Sequence, residues 1–294
     1  MQKLKLLYYD SLLLVVAIIW GVTFSFQKEV SESIPAFTFN ASRFAIGAIV
    51  MLGFVLIKRE SKWLIKPNYI LNGAILGFFL FGGNAFQQYG IEFTSVANAG
   101  FITTLYVLIV PIFLYLGGKK LTKSAWIAAL IATLGLYLLS GANPAETQSG
   151  DLFQLAGTLF WAGHITYIGR VSKRVPLLIL NFWQIFFCAL FSFIGSRVIS
   201  EIWRFEALFQ AWEIIVFSGF ISMGLCLYLQ STAQKQVSAN NTAIILSLEG
   251  LFAALFGWWL LGEVMGNVAM IGGFLITLAA IYSQLSFKTK PKNN

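Results

Sequence analysis

Long apolar stretches alternate with short polar connections along almost the whole chain. The apolar core of a bilayer is about 30 Å thick, so a helix that crosses it needs about 20 apolar residues. Ten stretches of suitable length are 11–28, 35–57, 69–89, 95–116, 122–140, 151–170, 176–199, 211–234, 242–261 and 265–286. The pattern predicts an all-α polytopic membrane protein with ten transmembrane helices, which makes the lipid bilayer its first expected partner.

Basic residues gather in alternate connections between these stretches. If the N-terminus is cytoplasmic, sixteen Lys and Arg side chains fall on the cytoplasmic side and three on the other side. Because cytoplasmic loops are enriched in Lys and Arg, this count predicts a multi-pass protein of the cell (inner) membrane with both termini cytoplasmic. The same placement accounts for the net charge of +8 and leaves no basic patch for nucleic acid.

The second half of the chain repeats features of the first half. Residue pairs recur at nearly constant offsets: Asp10 and Asp151, Trp20 and Trp161, Pro35 and Pro176, Asn40 and Asn181, Ser95 and Ser238, Asn98 and Asn241, and Thr133 and Thr277. Each half, 1–145 and 146–294, then holds five spans, and an odd number makes the second half enter the membrane from the opposite side. The sequence predicts two inverted five-helix repeats, an arrangement found in many secondary transporters.

Two spans in matching places carry residues that disturb a helix. Pro111 lies within the fourth span, where it removes a backbone hydrogen bond and is expected to kink the helix. The ninth span has Gly250 directly after the carboxylate of Glu249. Interrupted helices at corresponding positions of two repeats point to a binding site, so Glu249 and Gly250 are predicted to belong to one.

Four segments of the sequence carry a family resemblance. They are Trp20-Gly21, Arg43-Phe44, the run from Phe101 to Pro111, and the run from Leu248 to Glu263. With them the chain resembles the EamA-type members of the drug/metabolite transporter superfamily over nearly its full length. The resemblance implies ten helices, two inverted halves and a central cavity for a small organic solute, and many members export amino acids or other metabolites.

The chain departs from the family pattern at two places. The family usually has proline after the ninth-span glutamate, where this chain has Gly250. The family often ends its fourth span with Gly-Glu, where this chain reads Gly118-Lys119-Lys120. A glycine still permits a bend, and the lysines suit a cytoplasmic end, so neither departure removes a residue of the predicted cavity.

Glu249 is the side chain most costly to place within a span, because a charge near the bilayer centre costs about 3 kcal/mol on insertion scales. It could be the counter-charge for an amine or a proton carrier, or it could be a structural carboxylate bonded to a neighbouring helix. Arg43 could hold a substrate carboxylate or phosphate, tie two helices together, or pair with Glu249. The hypothesis favoured for Arg43 is the structural one.

His164 is the chain's single histidine and lies in the sixth span. Its ordinary titration range would suit a proton relay, although a histidine hydrogen-bonded between helices is the more common case. No companion ligands accompany it, and the two cysteines lack metal-ligand spacing, so no metal or other cofactor is expected. Further candidates for the cavity wall are Trp20, Trp161, Asn84, Gln88, Tyr106 and Gln230.

The function that these features favour is secondary active transport, with export of small polar metabolites such as amino acids by alternating access. A nucleotide-sugar or sugar-phosphate carrier of the same superfamily is the alternative. An intramembrane enzyme and a channel are the alternatives from other functional classes. The sequence contains no H-E-x-x-H or G-x-S-x-G motif that would support an enzyme. It also shows no ring of like charges that would support a channel. No G-x-x-x-x-G-K-[ST] loop occurs, so energy would come from the solute gradient or from an ion, with proton coupling as one option. The sequence leaves the oligomeric state open.

Overall fold

A computed structural model describes residues 2–118, 123–139, 149–264 and 266–288, and these ranges contain helices and turns but no strand. The helices are α1 (Gln2–Ser31), α2 (Ala36–Ile57), α3 (Pro67–Ile91), α4 (Val96–Thr103), α5 (Tyr106–Leu116), α6 (Lys123–Leu139), α7 (Ser149–Val171), α8 (Leu177–Val198), α9 (Phe205–Gln210), α10 (Trp212–Val216), α11 (Cys226–Gln234), α12 (Ala239–Leu246), α13 (Leu248–Leu261) and α14 (Asn267–Lys288). A 3₁₀ turn, Ser61–Trp63, precedes α3, and a π-helix, Phe217–Leu225, joins α10 to α11.

Seven helical segments are long and apolar enough to cross a membrane: Leu7–Ser31, Ala36–Ile57, Pro67–Ile91, Val96–Leu116, Leu177–Val198, Trp212–Gln234 and Ala239–Leu261. They confirm seven of the predicted spans. The other three predicted spans fall on α6, α7 and α14, which are outside this set, so the number ten stays a prediction. The predicted division between residues 145 and 146, and the departure at Lys119-Lys120, lie outside the described residues.

The fourth and ninth spans are each broken into two helices, at matching positions of the two halves. Thr104 and Leu105 lie between α4 and α5, and Ser247 lies between α12 and α13. Both hydroxyls bond a carbonyl three residues earlier, at 2.7 Å to Phe101 O and 2.8 Å to Ile244 O. Such side-chain bonds compete with the regular helical pattern and mark where each span changes helix.

The prediction of interrupted helices in matching places is confirmed, but the interruptions do not fall at Pro111 or Gly250, and the kink at Pro111 stays a prediction. Pro111 lies inside α5, well after its start, and Gly250 lies in the first turn of α13. The hydroxyls of Thr104 and Ser247, rather than the proline and the glycine, mark the interruptions.

The eighth span contains a π-helix that the sequence pattern did not predict. Its backbone is held by the first span, because Trp20 Nε1 donates to Ser222 O at 2.9 Å. Thr23 Oγ1 also lies 3.1 Å from Ser222 Oγ. π-Helical segments are uncommon and often occur at functional sites. This one brings Ser222 to the centre of the bundle.

α2 and α8 end in the same way, at positions related by the offset that also relates Pro35 to Pro176. Arg59 and Ser200 have positive φ values of 56° and 57°. The following residues, Glu60 and Glu201, donate their N–H groups back to Val55 O and Ser196 O at 3.0 and 2.9 Å. These are Schellman motifs, so the two helices share one local geometry at their C-termini.

α3 packs tightly against α8 on a glycine face. A Cβ atom on Gly73 would clash with Trp183 Cβ, and one on Gly77 would lie 2.6 Å from Phe187 Cβ. Small residues allow two helix backbones to approach closely in a membrane. This contact fixes one side of the bundle around the central cavity.

Candidate functional site

A small central cavity lies between the spans and is lined by residues from both halves of the chain. The volume in which the centre of a water molecule can move is about 30 Å³, enough for one or two waters. Its wall consists of Trp20, Thr23, Phe24, Gln27, Asn84, Gln87, Thr103, Tyr106, Trp161, Ile165, Ser222, Met223, Gln230 and Glu249. The helices would have to move apart to admit a metabolite.

Most of the predicted site residues meet at this cavity. Those that line it are Trp20, Asn84, Tyr106, Trp161, Gln230 and Glu249. The remaining four, Arg43, Gln88, His164 and Gly250, are buried but are not part of the wall. A Cβ atom on Gly250 would lie 2.8 Å from Thr104 Cγ2, so this glycine serves the close contact between α13 and the broken fourth span.

Glu249 accepts a hydrogen bond from the Tyr106 hydroxyl at 2.9 Å. Both side chains are almost fully buried, at 3% and 2% exposure. Each lies in the first turn after its span is broken, and their separation in the sequence equals that between Thr104 and Ser247. The bond therefore joins equivalent positions of the two broken spans. The position in the first turn of α13 also suits a carboxylate, because the helix dipole is positive there.

Arg43 lies behind the cavity wall and is fully buried. Its Nη2 donates to Asn40 Oδ1 and Asn84 Oδ1, each at 2.7 Å, and its Nε donates to Asn40 Oδ1 at 3.0 Å. Gln27 Oε1 is a more distant acceptor at 3.5 Å. The partners are neutral amides of three spans, and the pairing with Glu249, one of the alternatives left open for Arg43, is absent from the described contacts. Arg43 ties α1, α2 and α3 together.

His164 belongs to a second buried network. Its Nε2 lies 2.9 Å from Gln184 Oε1, and Gln184 Nε2 donates to Asn181 Oδ1 at 2.6 Å. With the amide of Gln184 assigned in this way, Nε2 is the nitrogen of His164 that carries the proton. Within the described contacts His164 Nδ1 has no hydrogen-bond partner. This network sits beside the cavity rather than in its wall.

Two side chains of the wall keep unused hydrogen-bonding groups. Trp161 Nε1 and both polar atoms of the Gln230 amide are buried without a partner among the described residues. Buried polar groups normally find partners. The indole rings of Trp20 and Trp161, with centroids 6.3 Å apart, form an aromatic part of the same wall. Together these groups could contact a solute that has both polar and apolar parts.

Sequence analysis missed several polar residues of the wall. Gln87 lines the cavity, whereas the predicted residue, its neighbour Gln88, donates to Gln27 O at 3.2 Å. Gln27 itself accepts from Gln87 Nε2 at 3.1 Å. As an amide within an apolar span, Gln27 carries the same signal that singled out Gln230. Ser222 has no comparable signal, because the π-helix determines its position.

Comparisons with known proteins consistently find similarity to transporters. The model of the EamA-like transporter family matches residues 7–141 and again residues 148–283. An uncharacterized transporter of Archaeoglobus fulgidus is 33% identical over 97% of this chain and 88% of its own length. An S-adenosylmethionine/S-adenosylhomocysteine transporter of Chlamydia trachomatis is 24% identical, covering 91% and 87% of the two chains.

A solved crystal structure shares the fold at a TM-score of 0.75 and 20% identity, and the match covers 95% of this chain and 97% of that one. The family match, the apolar helices and the relatives agree on a multi-pass membrane protein with a role in transport. The chain belongs to the EamA-like transporter family.

Proposed function

We propose that this protein is a secondary active transporter that exports small polar metabolites, with amino acids as the leading class, by alternating access. The observation that carries the proposal is one buried cavity shared by both halves, with Glu249 in its wall and Arg43 directly behind that wall. An amino-acid zwitterion has an ammonium group that would interact with Glu249 and a carboxylate that would lie on the side of Arg43. Burial strengthens both interactions because the local dielectric is low.

The negative pole of the site is the carboxylate of Glu249, which would attract the ammonium group of a solute. The positive pole is indirect. Arg43 donates to Asn84 Oδ1 and reaches Gln27 Oε1, and both amides line the cavity. Asn84 Nδ2 already donates to Leu80 O at 2.8 Å, so its second N–H and the N–H groups of Gln27, polarised by the guanidinium, would face a solute carboxylate. The unused Trp161 Nε1 and Gln230 amide supply further contacts.

The membrane arrangement that accompanies this proposal has ten spans in two inverted repeats, 1–145 and 146–294, with both termini in the cytoplasm. Support comes from the paired Schellman motifs at Arg59 and Ser200 and from the paired breaks at Thr104 and Ser247. The family model also matches the chain twice, in residues 7–141 and 148–283. Rocking of the two halves would open the cavity to each side in turn.

Relatives and chemistry both favour an amine-bearing solute over a phosphorylated one. The chlamydial relative is named for two compounds that each carry an amino-acid group. A sugar-phosphate or nucleotide-sugar carrier would need cations in contact with its substrate, and Arg43 is screened from the cavity by Asn84 and Gln27. The proposal includes no catalytic step. A coupling proton, if one is used, would be carried by Glu249.

Exchange of radiolabelled amino acids in proteoliposomes tests this function. Glu249→Gln removes the charge and keeps an oxygen that can accept from Tyr106. We expect exchange to fall about 100-fold, because loss of one partner of a buried charge pair typically costs about 2–5 kcal/mol, while the melting temperature stays near that of the wild type. Glu213→Gln, at an exposed glutamate outside the cavity, is the control. Unchanged exchange in Glu249→Gln would contradict the role of Glu249.

A further inference from the structure

A carboxylate joins the two halves at the end of the bundle where α1 ends and α2 begins, which we call the Glu201 end. Glu201 follows α8, and its carboxylate accepts hydrogen bonds from Phe37 N at 3.0 Å and Thr38 N at 2.7 Å. The Thr38 hydroxyl also donates to it at 2.8 Å. The first turn of α2 is thereby capped by a side chain from the other half. Carboxylates are favoured at helix N-termini by the free N–H groups and the dipole.

Glu60 is the counterpart of Glu201 in the first half, and it follows α2 as Glu201 follows α8. Both come directly after the left-handed residue of a Schellman motif, Arg59 or Ser200. The two carboxylates differ in their contacts. Glu60 is half-buried, and its Oε2 atom is buried without a hydrogen-bond partner among the described residues. Glu60 therefore has the position of a cap but does not act as one in this conformation.

The helix that Glu60 could cap lies at its own end of the bundle. α8 runs antiparallel to α2, because Glu201 at the end of α8 touches the start of α2. The start of α8 and the end of α2 therefore lie together. The N-cap residue of α8, Pro176, makes no side-chain capping bond, and Pro35 makes none for α2. Trp183 Nε1 donates to Leu64 O at 3.0 Å, which ties α8 to the segment that follows Glu60.

We propose that Glu201 and Glu60 are alternating latches of the transport cycle, an inference that rests on the proposed alternating access. In the present conformation Glu201 holds its end closed. In the opposite conformation Glu201 releases α2, and Glu60 closes the other end by accepting hydrogen bonds from the N–H groups of Leu178 and Ile179. These two residues follow Pro176 as Phe37 and Thr38 follow Pro35.

Further contacts between the halves are concentrated at the Glu201 end. Glu263 accepts from Val96 N at 2.7 Å and Ala97 N at 3.1 Å. Arg204 Nη1 donates to Ser33 O at 3.3 Å, and the Thr94 hydroxyl donates to Asp151. At the opposite end the halves are joined by Tyr167 to Asn72 at 2.8 Å and by Trp183 to Leu64 at 3.0 Å, so the Glu201 end is the more firmly closed of the two. Glu263 has Lys119 at the matching position of the first half, so it has no acidic counterpart, whereas Glu201 has Glu60.

The pairing gives a reason why the two conformations can be close in energy. Each closure forms carboxylate bonds to two helix N–H groups and breaks the corresponding bonds at the opposite end. A two-state equilibrium responds to whatever stabilises one state more than the other. Removing one latch should therefore change the protection of the distant end as well as its own.

Hydrogen–deuterium exchange of the purified full-length protein in detergent tests whether the Glu60 bonds form when the Glu201 bonds are lost. Glu201→Ala should speed amide exchange at the start of α2 about tenfold, as expected for loss of charge-assisted bonds. It should slow exchange at the start of α8 by about threefold or more, because Glu60 now engages. In the double variant Glu201→Ala/Glu60→Ala the slowing at α8 should disappear. Glu201→Gln serves as a milder variant that keeps the side-chain shape, and Glu206→Ala, an exposed glutamate at the same end, is the matched control.

The distant effect separates a latch from a local cap. If Glu201→Ala and Glu201→Gln change exchange only at α2, or speed it at α8, the proposal is overturned. Slowing at α8 that persists without Glu60 also overturns it. These measurements need no substrate, so the latches and the proposed solute are tested apart. If amide exchange at the start of α8 slows but the protein transports no amino acid, the latches are upheld and the proposed substrate is contradicted. If the protein transports amino acids but amide exchange at α8 does not slow, the latches alone are contradicted.

Discussion

Two buried networks occupy matching places in the two halves, and they are built on the same local contact. Arg43 donates to Asn40 Oδ1 three residues earlier, and Gln184 donates to Asn181 Oδ1 three residues earlier. The networks are related by the same offset as Pro35 and Pro176. In each of them an asparagine on one turn of a helix holds the polar side chain on the next.

The networks differ in charge and in the third partner. Arg43 also donates to Asn84 on α3, whereas Gln184 accepts from His164 on α7. The first network contains a cation that touches the cavity wall through Asn84, and the second network, with a neutral glutamine at its centre, borders the cavity only from behind. The same helix framework can therefore hold a charged network in one half and a neutral network in the other, and the proposed positive pole of the site comes from the first half.

The largest effect should come from making the first network resemble the second. Arg43→Gln keeps a donor for Asn40 but leaves Asn84 Oδ1 without its charged partner. Hydrogen bonds to charged groups contribute about 1.5–3 kcal/mol each. We therefore expect a loss of about 3 kcal/mol in stability, a fall of about 5–10 °C in melting temperature, and about tenfold slower amino-acid exchange. Differential scanning fluorimetry and proteoliposome exchange measure these. A variant with wild-type stability would contradict the assigned contacts.

A smaller effect is expected from truncation at the matching position of the second half. Gln184→Ala leaves His164 Nε2 and Asn181 Oδ1 without their mutual partner. Because only neutral hydrogen bonds are lost, the cost should be about 1–2 kcal/mol, with amino-acid exchange reduced less than threefold. The two variants are compared in the same melting assay. If Gln184→Ala destabilised the protein as much as Arg43→Gln, the charge of Arg43 would not be what distinguishes the networks.

The smallest effect on transport is expected at His164. The side chain lies outside the cavity wall, so His164→Gln should change amino-acid exchange by less than about twofold at any pH between about 5 and 8, the range in which histidine usually titrates. Exchange rates in proteoliposomes across this range provide the check. A pH dependence that vanished in His164→Gln would restore the proton-relay hypothesis and place the coupling group in the second network.

The parts of this molecule that could be predicted from sequence are those set by hydropathy and by repetition. The apolar spans, the matched pair Asn40 and Asn181, and the cavity position of Glu249 follow from patterns that are visible in the chain. The breaks at Thr104 and Ser247 could not be placed in this way. A hydroxyl within an apolar helix can form the side-chain bond that disturbs the helix, or it can leave the helical hydrogen bonds unchanged. Which of the two occurs depends on packing.

Side-chain direction was the second limit. Gln87 and Gln88 are adjacent on a helix that is apolar around most of its circumference, so no sequence pattern decides which one faces the cavity. The π-helix around Ser222 accepts a hydrogen bond from Trp20 of another span, and no local sequence pattern predicts such a contact. The neutral amide partners of Arg43, which come from three spans, are likewise visible only in three dimensions, and its structural role stays a prediction.

The most direct test of the two-pole site is ligand-induced thermal stabilisation of the purified protein with three matched compounds. They are an aromatic amino acid, the corresponding amine without the carboxylate, and the corresponding acid without the amine. A ligand that binds the folded state raises the melting temperature. The account predicts the largest rise for the amino acid, a smaller rise for the amine, and none for the acid, with the amine effect lost in Glu249→Gln. Stabilisation by the acid alone, or by phosphorylated compounds alone, would contradict it.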